Sequence, residues 1–360
     1  MGVAWAHVGY PQRIVFGPDA VDTLGDVVRE AGMRRVLLVT TEGRLASDAG
    51  ERVVGRLGRA LASTFAGVRS HVPTSAVQAA VAQAGDDGAD GVVSFGGGSA
   101  ADLGKAVCFF LEQQAGAALP HVSVPTTYSG AELTPFFGMT DEATRRKSGA
   151  GAPSLAPVAA VYDPVLTLDT PVRVSAETGM NALAHGVECA YSPLRTPEAE
   201  AVALACIERI ASSLADVVDA PGDLAARTRM LEGAALGGRC LQNAAMGVHH
   251  GLAQLVGGRT GIPHGLANAV LLAHAMRFNA EAVGGAAYRI GAALGDPDDP
   301  ADAIDRLRER LDLPATLSAC GVTDDDVDAV ARLSQGNPNV KNNPRPVSED
   351  DARQLLLAAY

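Results

Sequence analysis

Apolar residues in the first half of the chain occur in short continuous runs rather than in alternation with polar residues. Such runs are typical of strands that are buried on both faces of a parallel sheet. The runs are RVLLVT (35–40), GVVSFGGGS (91–99), HVSVPTT (121–127) and VAAVYDP (158–164). Helical patterns lie between them, at 44–62 and 75–85. This alternation predicts a doubly wound parallel sheet in an α/β domain.

The strand pattern ends near residue 170, and the remainder of the chain is predicted to be all helical. Ala- and Leu-rich helical segments lie at 175–191, 197–217, 223–245 and 265–290, and another begins after the acidic turn at 295–303. We therefore predict an α/β dinucleotide-binding domain over 1–168 and an all-α domain over 169–360. The stretch TRRKSGAGAPSLAP (144–157), rich in Gly, Pro and cations, predicts a mobile loop.

Composition narrows the choice of partners. The formal net charge is −12 and no basic stripe stands out, which argues against nucleic acid or an anionic membrane. The N-terminus does not resemble a signal peptide, and the apolar run at 107–111 is too short to span a bilayer. The five cysteines are scattered without a CxxC pair, so we expect reduced thiols and a cytoplasmic protein. A small anionic substrate stays open, because local charge decides its binding.

The segment SFGGGSAADLGKA (94–106) is a candidate phosphate-binding loop. A predicted strand ends at Phe95, and the glycines Gly96, Gly97 and Gly98 allow a tight turn before Ser99, which can cap a helix. Backbone N–H groups at such a helix start can bind the pyrophosphate of NADH or NADPH. The alternative is a tight turn without a ligand. Asp102 and Lys105 lie on the first helical turns. They are either further contacts for the cofactor or part of a solvated helix face.

Two further strand ends carry hydroxyl groups. The segment VPTTYSGAELTPF (124–136) offers Thr126, Thr127 and Tyr128 as contacts for the cofactor, with an unliganded β-turn as the alternative. Thr41 follows an earlier strand, where an acidic residue would bind the adenosine ribose and reject a 2′-phosphate. Glu42 is the next residue, so the choice between NADH and NADPH stays open.

Four of the eight histidines lie close to Gly and Pro turns in the helical half. Asn181 and His185 are spaced i, i+4 in GMNALAHGVE (179–188), so their side chains lie on one helix face. The other histidines are His249 and His250 in GVHHGLAQ, and His264 in GIPHG. We predict that they form one polar cavity, with scattered structural histidines as the alternative. An Asp at 181 would supply half of a divalent-metal site, but an uncharged Asn is a poor ligand.

These motifs together resemble the iron-containing (group III) alcohol dehydrogenase superfamily, whose fold is dehydroquinate synthase-like. The resemblance runs from RIVFGPDAVDTL through FGGGSAADLGKA, PTTYSGAELTP and VYDPVLTLDTP to the histidine motifs. The stretches PTTYSGAELTPFFGMTDE and GMNALAHGVE are most similar to maleylacetate reductases. Those enzymes of aromatic-ring breakdown reduce a C=C bond conjugated to a ketone and give 3-oxoadipate. The resemblance also implies a homodimer.

The resemblance implies a metal-ligand set in which one member has changed. Metal-dependent relatives use one Asp and three His, and the matching positions here are Asn181, His185, His250 and His264. Loss of the Asp implies a reaction that requires no metal, as in maleylacetate reductases. Three neutral imidazoles can still hold zinc or iron, so a metal-dependent alcohol dehydrogenase or aldehyde reductase is the alternative.

A second departure from the family is Gln254, at a position that is usually a His thought to assist proton transfer. Because Gln does not titrate, His249 becomes the candidate proton donor. This change also keeps open a third interpretation, an NAD(P)-binding homologue with a non-redox role such as cyclisation.

The expected reaction is hydride transfer from NAD(P)H to a small anionic unsaturated oxo acid. The three ligand-position histidines and Asn181 would stabilise the enolate oxygen, and Tyr128 would lie near the nicotinamide. Arg259 and Lys147 are candidate cations for the substrate carboxylates, and Lys147 is also a candidate cofactor contact. Both cations are as readily explained as exposed surface charges.

Overall fold

The computed structural model describes Trp5 and residues 9–144 and 146–360, except the side chains at 115 and 146. Its contacts divide the chain into two compact units. One unit is Tyr10–Thr170, and the other contains Pro171–Tyr360 together with Trp5 and Gly9. The division therefore lies after Thr170, whereas the sequence predicted a border after residue 168.

The first unit contains all the strands of the described chain. They are β1 (Arg13–Phe16), β2 (Val36–Val39), β3 (Leu61–Phe65), β4 (Gly91–Gly96), β5 (His121–Pro125), β6 (Phe136–Asp141), β7 (Arg146–Gly151) and β8 (Ala159–Tyr162). Six of them form a parallel sheet in the order β1-β8-β5-β4-β2-β3. The helices are α1 (Leu24–Glu30), α2 (Glu42–Leu45), α3 (Asp48–Leu57), α4 (Thr74–Asp86) and α5 (Gly98–Ala115). The predicted doubly wound α/β domain is confirmed.

Burial on both faces explains the continuous apolar runs. In β2, Val36 and Leu38 pack into one core cluster, whereas Leu37 packs into a second cluster. Successive side chains of a strand point to opposite faces, so a strand covered on both sides needs an apolar residue at every position.

Two predictions in this unit are wrong. The predicted helix at 44–62 ends at Leu57, and Leu61–Phe65 is instead the edge strand β3. Gly58 ends the helix with φ of 49°, a left-handed conformation that favours glycine. The predicted mobile loop at 144–157 contains strand β7, which pairs with β6 in an antiparallel hairpin. Pairing with β6 overrides the Gly-rich composition of β7.

The second unit is helical, as predicted. Its helices are α6 (Val172–Tyr191), α7 (Pro197–Ala211), α8 (Leu214–Asp219), α9 (Leu224–Asn243), α10 (Val248–Thr260), α11 (His264–Val283), α12 (Gly285–Leu294), α13 (Pro300–Arg310), α14 (Asp324–Ser334), α15 (Pro338–Lys341) and α16 (Glu349–Ala358). The predicted helix at 265–290 is divided at Gly284, where φ is 49°. Within the described residues, no helix has both the length and the apolar character needed to cross a membrane.

Candidate active site

The predicted phosphate-binding loop connects β4 to α5. Gly96 has a φ of 146°, which residues with a side chain rarely adopt. A Cβ atom at Gly97 would lie 3.1 Å from the Thr127 side chain, and one at Gly98 would lie 3.0 Å from Ser129. The loops after β4 and β5 therefore lie directly against each other. No side chain caps α5, so Ser99 lies in the first turn and does not cap it as predicted.

Two hydroxyl groups beside this loop are suited to a bound ligand. Thr126 and Thr127 each have a buried Oγ1 atom with no hydrogen-bond partner among the described residues. Buried polar atoms normally have partners, so a bound group that accepts or donates hydrogen bonds would satisfy them. The glycine turn and these two hydroxyls fit a dinucleotide.

Lys105 anchors the neighbouring segment instead of lying on a solvated helix face. Its side chain is fully buried, and Nζ donates to the carbonyl oxygens of Ala131 and Phe136 and to Thr134 Oγ1. Asp102 pairs with Lys105 at 2.8 Å. The alternative of a solvated face is therefore wrong for Lys105.

Other predicted cofactor contacts have different surroundings. Thr41 caps α2, where its Oγ1 accepts from the Arg44 N–H at 3.2 Å. Tyr128 is fully buried. Lys147 lies on the exposed strand β7. Desolvation by neighbouring protein atoms lowers the pKa of its ammonium group, and the charge of Asp102 partly opposes this shift. Their roles toward the cofactor stay predictions.

Four histidines of the second unit, His185, His249, His250 and His264, do come together, from three helices. His185 on α6 stacks on His250 of α10, with ring centroids 4.7 Å apart. His264 of α11 lies 6.0 Å from His250, and His249 lies 4.9 Å from it in an edge-on arrangement. Asn181 is buried one turn before His185 on α6.

The sequence interpretation missed Glu188, which organises this cluster. Its Oε2 accepts from His250 Nδ1–H at 2.5 Å and from the His250 backbone N–H at 3.1 Å. Its Oε1 accepts from the N–H groups of Gly247 and His249, at 2.9 and 3.1 Å. The available signal was spacing, because Asn181, His185 and Glu188 follow an i, i+4, i+7 pattern on one helix face.

The pKa shifts favour an ionised Glu188 beside neutral rings of His185 and His250. Burial raises the pKa of Glu188, but hydrogen bonds and charge from His249 and His250 outweigh it, so this pKa lies below its usual range. Burial lowers the pKa of His250, although Glu188 opposes this shift. Burial and the neighbouring imidazoles lower the pKa of His185. His250 Nε2 and His185 Nδ1 are buried without hydrogen-bond partners among the described residues.

His249 has both ring nitrogens in contact with protein. Nε2 donates to the Asn268 carbonyl at 3.0 Å, and Nδ1 lies 3.2 Å from His250 Nδ1. Since its side chain is fully buried, this arrangement does not present a ring nitrogen to a substrate.

Gln254 and Arg259 have partners outside the cluster. Gln254 is exposed, and its Oε1 accepts from the Asn339 side chain at 3.2 Å. Arg259 forms an ion pair with Asp326 at 2.6 Å, so the structure does not bring it to the histidines.

Three side chains of the cluster form a group that could hold a metal ion. Ligand atoms of Glu188, His249 and His250 lie within 4.8 Å of one another, but the Glu188 oxygens are occupied by N–H donors. The rings of His185 and His250 are nearly parallel, at 21°.

Comparisons with known protein families cover both units. Residues 11–164 match the iron-containing alcohol dehydrogenase model, and residues 175–360 match the C-terminal model of the Fe-containing alcohol dehydrogenase family. A maleylacetate reductase of Burkholderia cepacia is 38% identical over 97% of this chain and 95% of its own length. Maleylacetate reductase 2 of Cupriavidus pinatubonensis is 36% identical over 98% of this chain and 95% of its own length.

Solved structures give the same grouping. Maleylacetate reductase from Agrobacterium tumefaciens superimposes with a TM-score of 0.89 at 34% identity, covering 100% of this chain and 99% of its own. A 1,3-propanediol oxidoreductase superimposes with a TM-score of 0.94 at 28% identity, covering 99% of this chain and 100% of its own.

Proposed function

The chain belongs to the iron-containing alcohol dehydrogenase family, and we propose that it is a maleylacetate reductase that works without a metal. It transfers hydride from NADH or NADPH to the conjugated C=C bond of maleylacetate and gives 3-oxoadipate. The observation that carries this proposal is the buried histidine cluster in which Asn181 stands where metal-dependent relatives have an acid. Similarity to maleylacetate reductases over nearly the full chain supports it.

The first unit binds the cofactor, which supplies the hydride when bound. Backbone N–H groups of the Gly96–Ser99 loop and the start of α5 would bind the pyrophosphate. The buried hydroxyls of Thr126 and Thr127, which have no partner among the described residues, would complete their hydrogen bonds with the dinucleotide. Because Thr41 carries no charge to repel a 2′-phosphate, both NADH and NADPH are accepted.

The histidine cluster stabilises charge and delivers a proton. Hydride adds to the alkene carbon β to the ketone, and the electron pair moves to the ketone oxygen. The Asn181 amide and the imidazoles of His185 and His264 donate hydrogen bonds to that oxygen, and loss of one such donor costs about 100-fold or more in kcat. The lone pair of His250 Nε2 takes up a proton from solvent and passes it to the α-carbon, while Nδ1 keeps its hydrogen toward Glu188. His249, with both nitrogens engaged, supports His250 instead of donating the proton.

The test combines metal analysis with NAD(P)H oxidation on maleylacetate, measured in one sample before and after chelation. We expect much less than one zinc or iron per chain and turnover that resists the chelator. About one metal per chain with activity lost on chelation would establish the metal-dependent reductase instead. Metal-free protein that binds NADH but does not turn over maleylacetate would exclude this substrate.

A substitution at the changed ligand position sharpens this test. Asn181→Asp restores the family's acid, so we expect tighter zinc binding and a kcat about 100-fold lower, because an anion now faces the developing oxyanion. Gln242→Glu adds the same charge on α9 and is expected to change neither quantity. Wild-type turnover in Asn181→Asp would contradict the role of the amide.

A further inference from the structure

We infer that Glu188 is a positioning residue that selects the tautomer of His250 and fixes the start of helix α10 from the neighbouring helix α6. The inference rests on the proposed function only where it gives His250 a part in turnover. The geometric part stands independently of which substrate is reduced.

The start of α10 lacks a cap of its own. The N-cap residue is Gly247, which has no side chain, yet the first N–H groups of a helix have no partners within the helix. Glu188 accepts from the N–H groups of Gly247, His249 and His250. Asn343 Oδ1 accepts from the Val248 N–H at 3.2 Å. The helix start is thus satisfied from outside, and the Glu188 charge also interacts favourably with the helix dipole.

The same carboxylate determines which ring nitrogen of His250 carries the proton. Both Glu188 oxygens already act as acceptors for backbone N–H groups, so the His250 nitrogen that lies 2.5 Å from Oε2, Nδ1, carries the hydrogen. The other tautomer would place a nitrogen lone pair against an anionic oxygen at that distance. His250 Nε2, which has no hydrogen-bond partner among the described residues, is therefore the nitrogen left for substrate chemistry.

Helix α6 holds the His250 ring from two directions. His185 and Glu188 lie one helical turn apart, so they share a face of α6. His185 stacks on the face of the His250 ring, while Glu188 bonds to its edge. The orientation of Nε2 thus depends on the Glu188 carboxylate as well as on packing.

The test reads the tautomer directly, by ¹⁵N NMR of histidine-labelled protein with the His250 signals assigned from His250→Gln. In the wild type we expect His250 to carry its hydrogen on Nδ1 and a lone pair on Nε2. In Glu188→Gln we expect a mixture of the two tautomers or the reversed tautomer. The Gln amide keeps the shape but offers one acceptor oxygen in place of two. We expect kcat to fall by about 10- to 100-fold, as for loss of other carboxylates that orient histidines, with the KM for NADH changed less than about twofold.

Two further variants serve as controls. Tyr191→Phe removes a hydroxyl 3.4 Å from Glu188 Oε1 and leaves both carboxylate oxygens in place, so we expect the wild-type tautomer and near wild-type kcat. Glu188→Asp keeps the charge on a shorter side chain, so we expect it to keep part of the wild-type Nδ1–H population. This variant tests the inference if Glu188→Gln does not fold.

The outcomes separate the two claims. A wild-type His250 that carries its proton on Nε2, or an unchanged tautomer in a folded Glu188→Gln, overturns the positioning role regardless of activity. A changed tautomer with unchanged turnover of maleylacetate supports the positioning of His250 and overturns its part in the proposed reaction.

Discussion

At the scale of single residues, the surroundings of each histidine decide its chemistry. His121 lies in the sheet of the first unit, far in sequence from the other buried rings. Its Nε2 bonds to Ser94 Oγ at 2.8 Å, and Ser94 in turn bonds to Ser123. Burial, with a contribution from the Lys105 charge, lowers the pKa of His121 to about 3. This ring is therefore neutral in the folded protein at pH 5 and above.

The lowered pKa of His121 predicts a loss of stability in mild acid. The unfolded chain protonates this ring near pH 6.5 and the folded chain only near pH 3, so below 6.5 the unfolded state binds more protons. This contribution to the free energy of unfolding is intact above pH 6.5 and is reduced by about 2 kcal/mol at pH 5. Urea unfolding at pH 7 and pH 5 measures it.

His121→Asn is the control, because it cannot titrate. We expect the variant to lose about 2 kcal/mol less than the wild type between the two pH values. Equal losses in both proteins would show that His121 is not held neutral by the fold.

At the scale of elements, the contact between α6 and the start of α10 depends on the absence of one side chain. A Cβ atom at Gly247 would lie 2.8 Å from Glu188 Oε1 and 2.9 Å from Asn343 Oδ1. The backbone of Gly247, with φ of −111°, would accept an alanine. Glycine is therefore required here because the Glu188 and Asn343 oxygens lie too close for a Cβ atom, and not because of the backbone conformation.

Gly247→Ala is expected to lower the free energy of unfolding by about 1–3 kcal/mol, as for other overpacked sites. Both oxygens would have to move away from the N–H groups that they satisfy. Thermal unfolding of the variant measures the loss. Gly222→Ala, where a Cβ would meet nothing within 4 Å, is the matched control and should change stability by less than about 0.5 kcal/mol. Equal stability of the two variants would show that the Glu188 carboxylate can move away from the added methyl group without a cost in the free energy of unfolding.

At the scale of the whole molecule, the loop proposed to bind the cofactor and the histidine cluster lie in different units. The glycine loop belongs to Tyr10–Thr170, and the histidine cluster belongs to Pro171–Tyr360. Each unit has a core cluster of its own. A local change in one unit should therefore leave the local geometry of the other intact.

Gly97→Val is expected to weaken NADH binding by about 10- to 100-fold, because the added carbons collide with Thr127 or displace the loop. Fluorescence titration with NADH measures the affinity. The ¹⁵N signals of His250 should be unchanged, and Gly85→Ala, in open space on α4, should bind NADH as the wild type does. An unchanged affinity of Gly97→Val for NADH would show that this loop is not part of the cofactor site.

Much of the fold could be predicted from the sequence because its signals are local. The buried strands β2, β4, β5 and β8 lie within predicted apolar runs, and the helical second half follows from Ala- and Leu-rich segments. Edge strand β3 and hairpin strand β7 were missed because their composition resembles a helix and a loop, and pairing with a neighbouring strand decides their conformation.

The sequence by itself also determined which histidines form the cluster and that Asn181 lies on the face of His185, since helical spacing fixes that face. Only the tertiary structure decided that Glu188 and Asn343 satisfy the start of α10, that Lys105 is buried, and that Gln254 is exposed. Val248 and Asn343 are separated by 95 residues. Contacts over such separations depend on how helices pack. The periodicity of one helix does not predict which polar groups of neighbouring helices will lie against it.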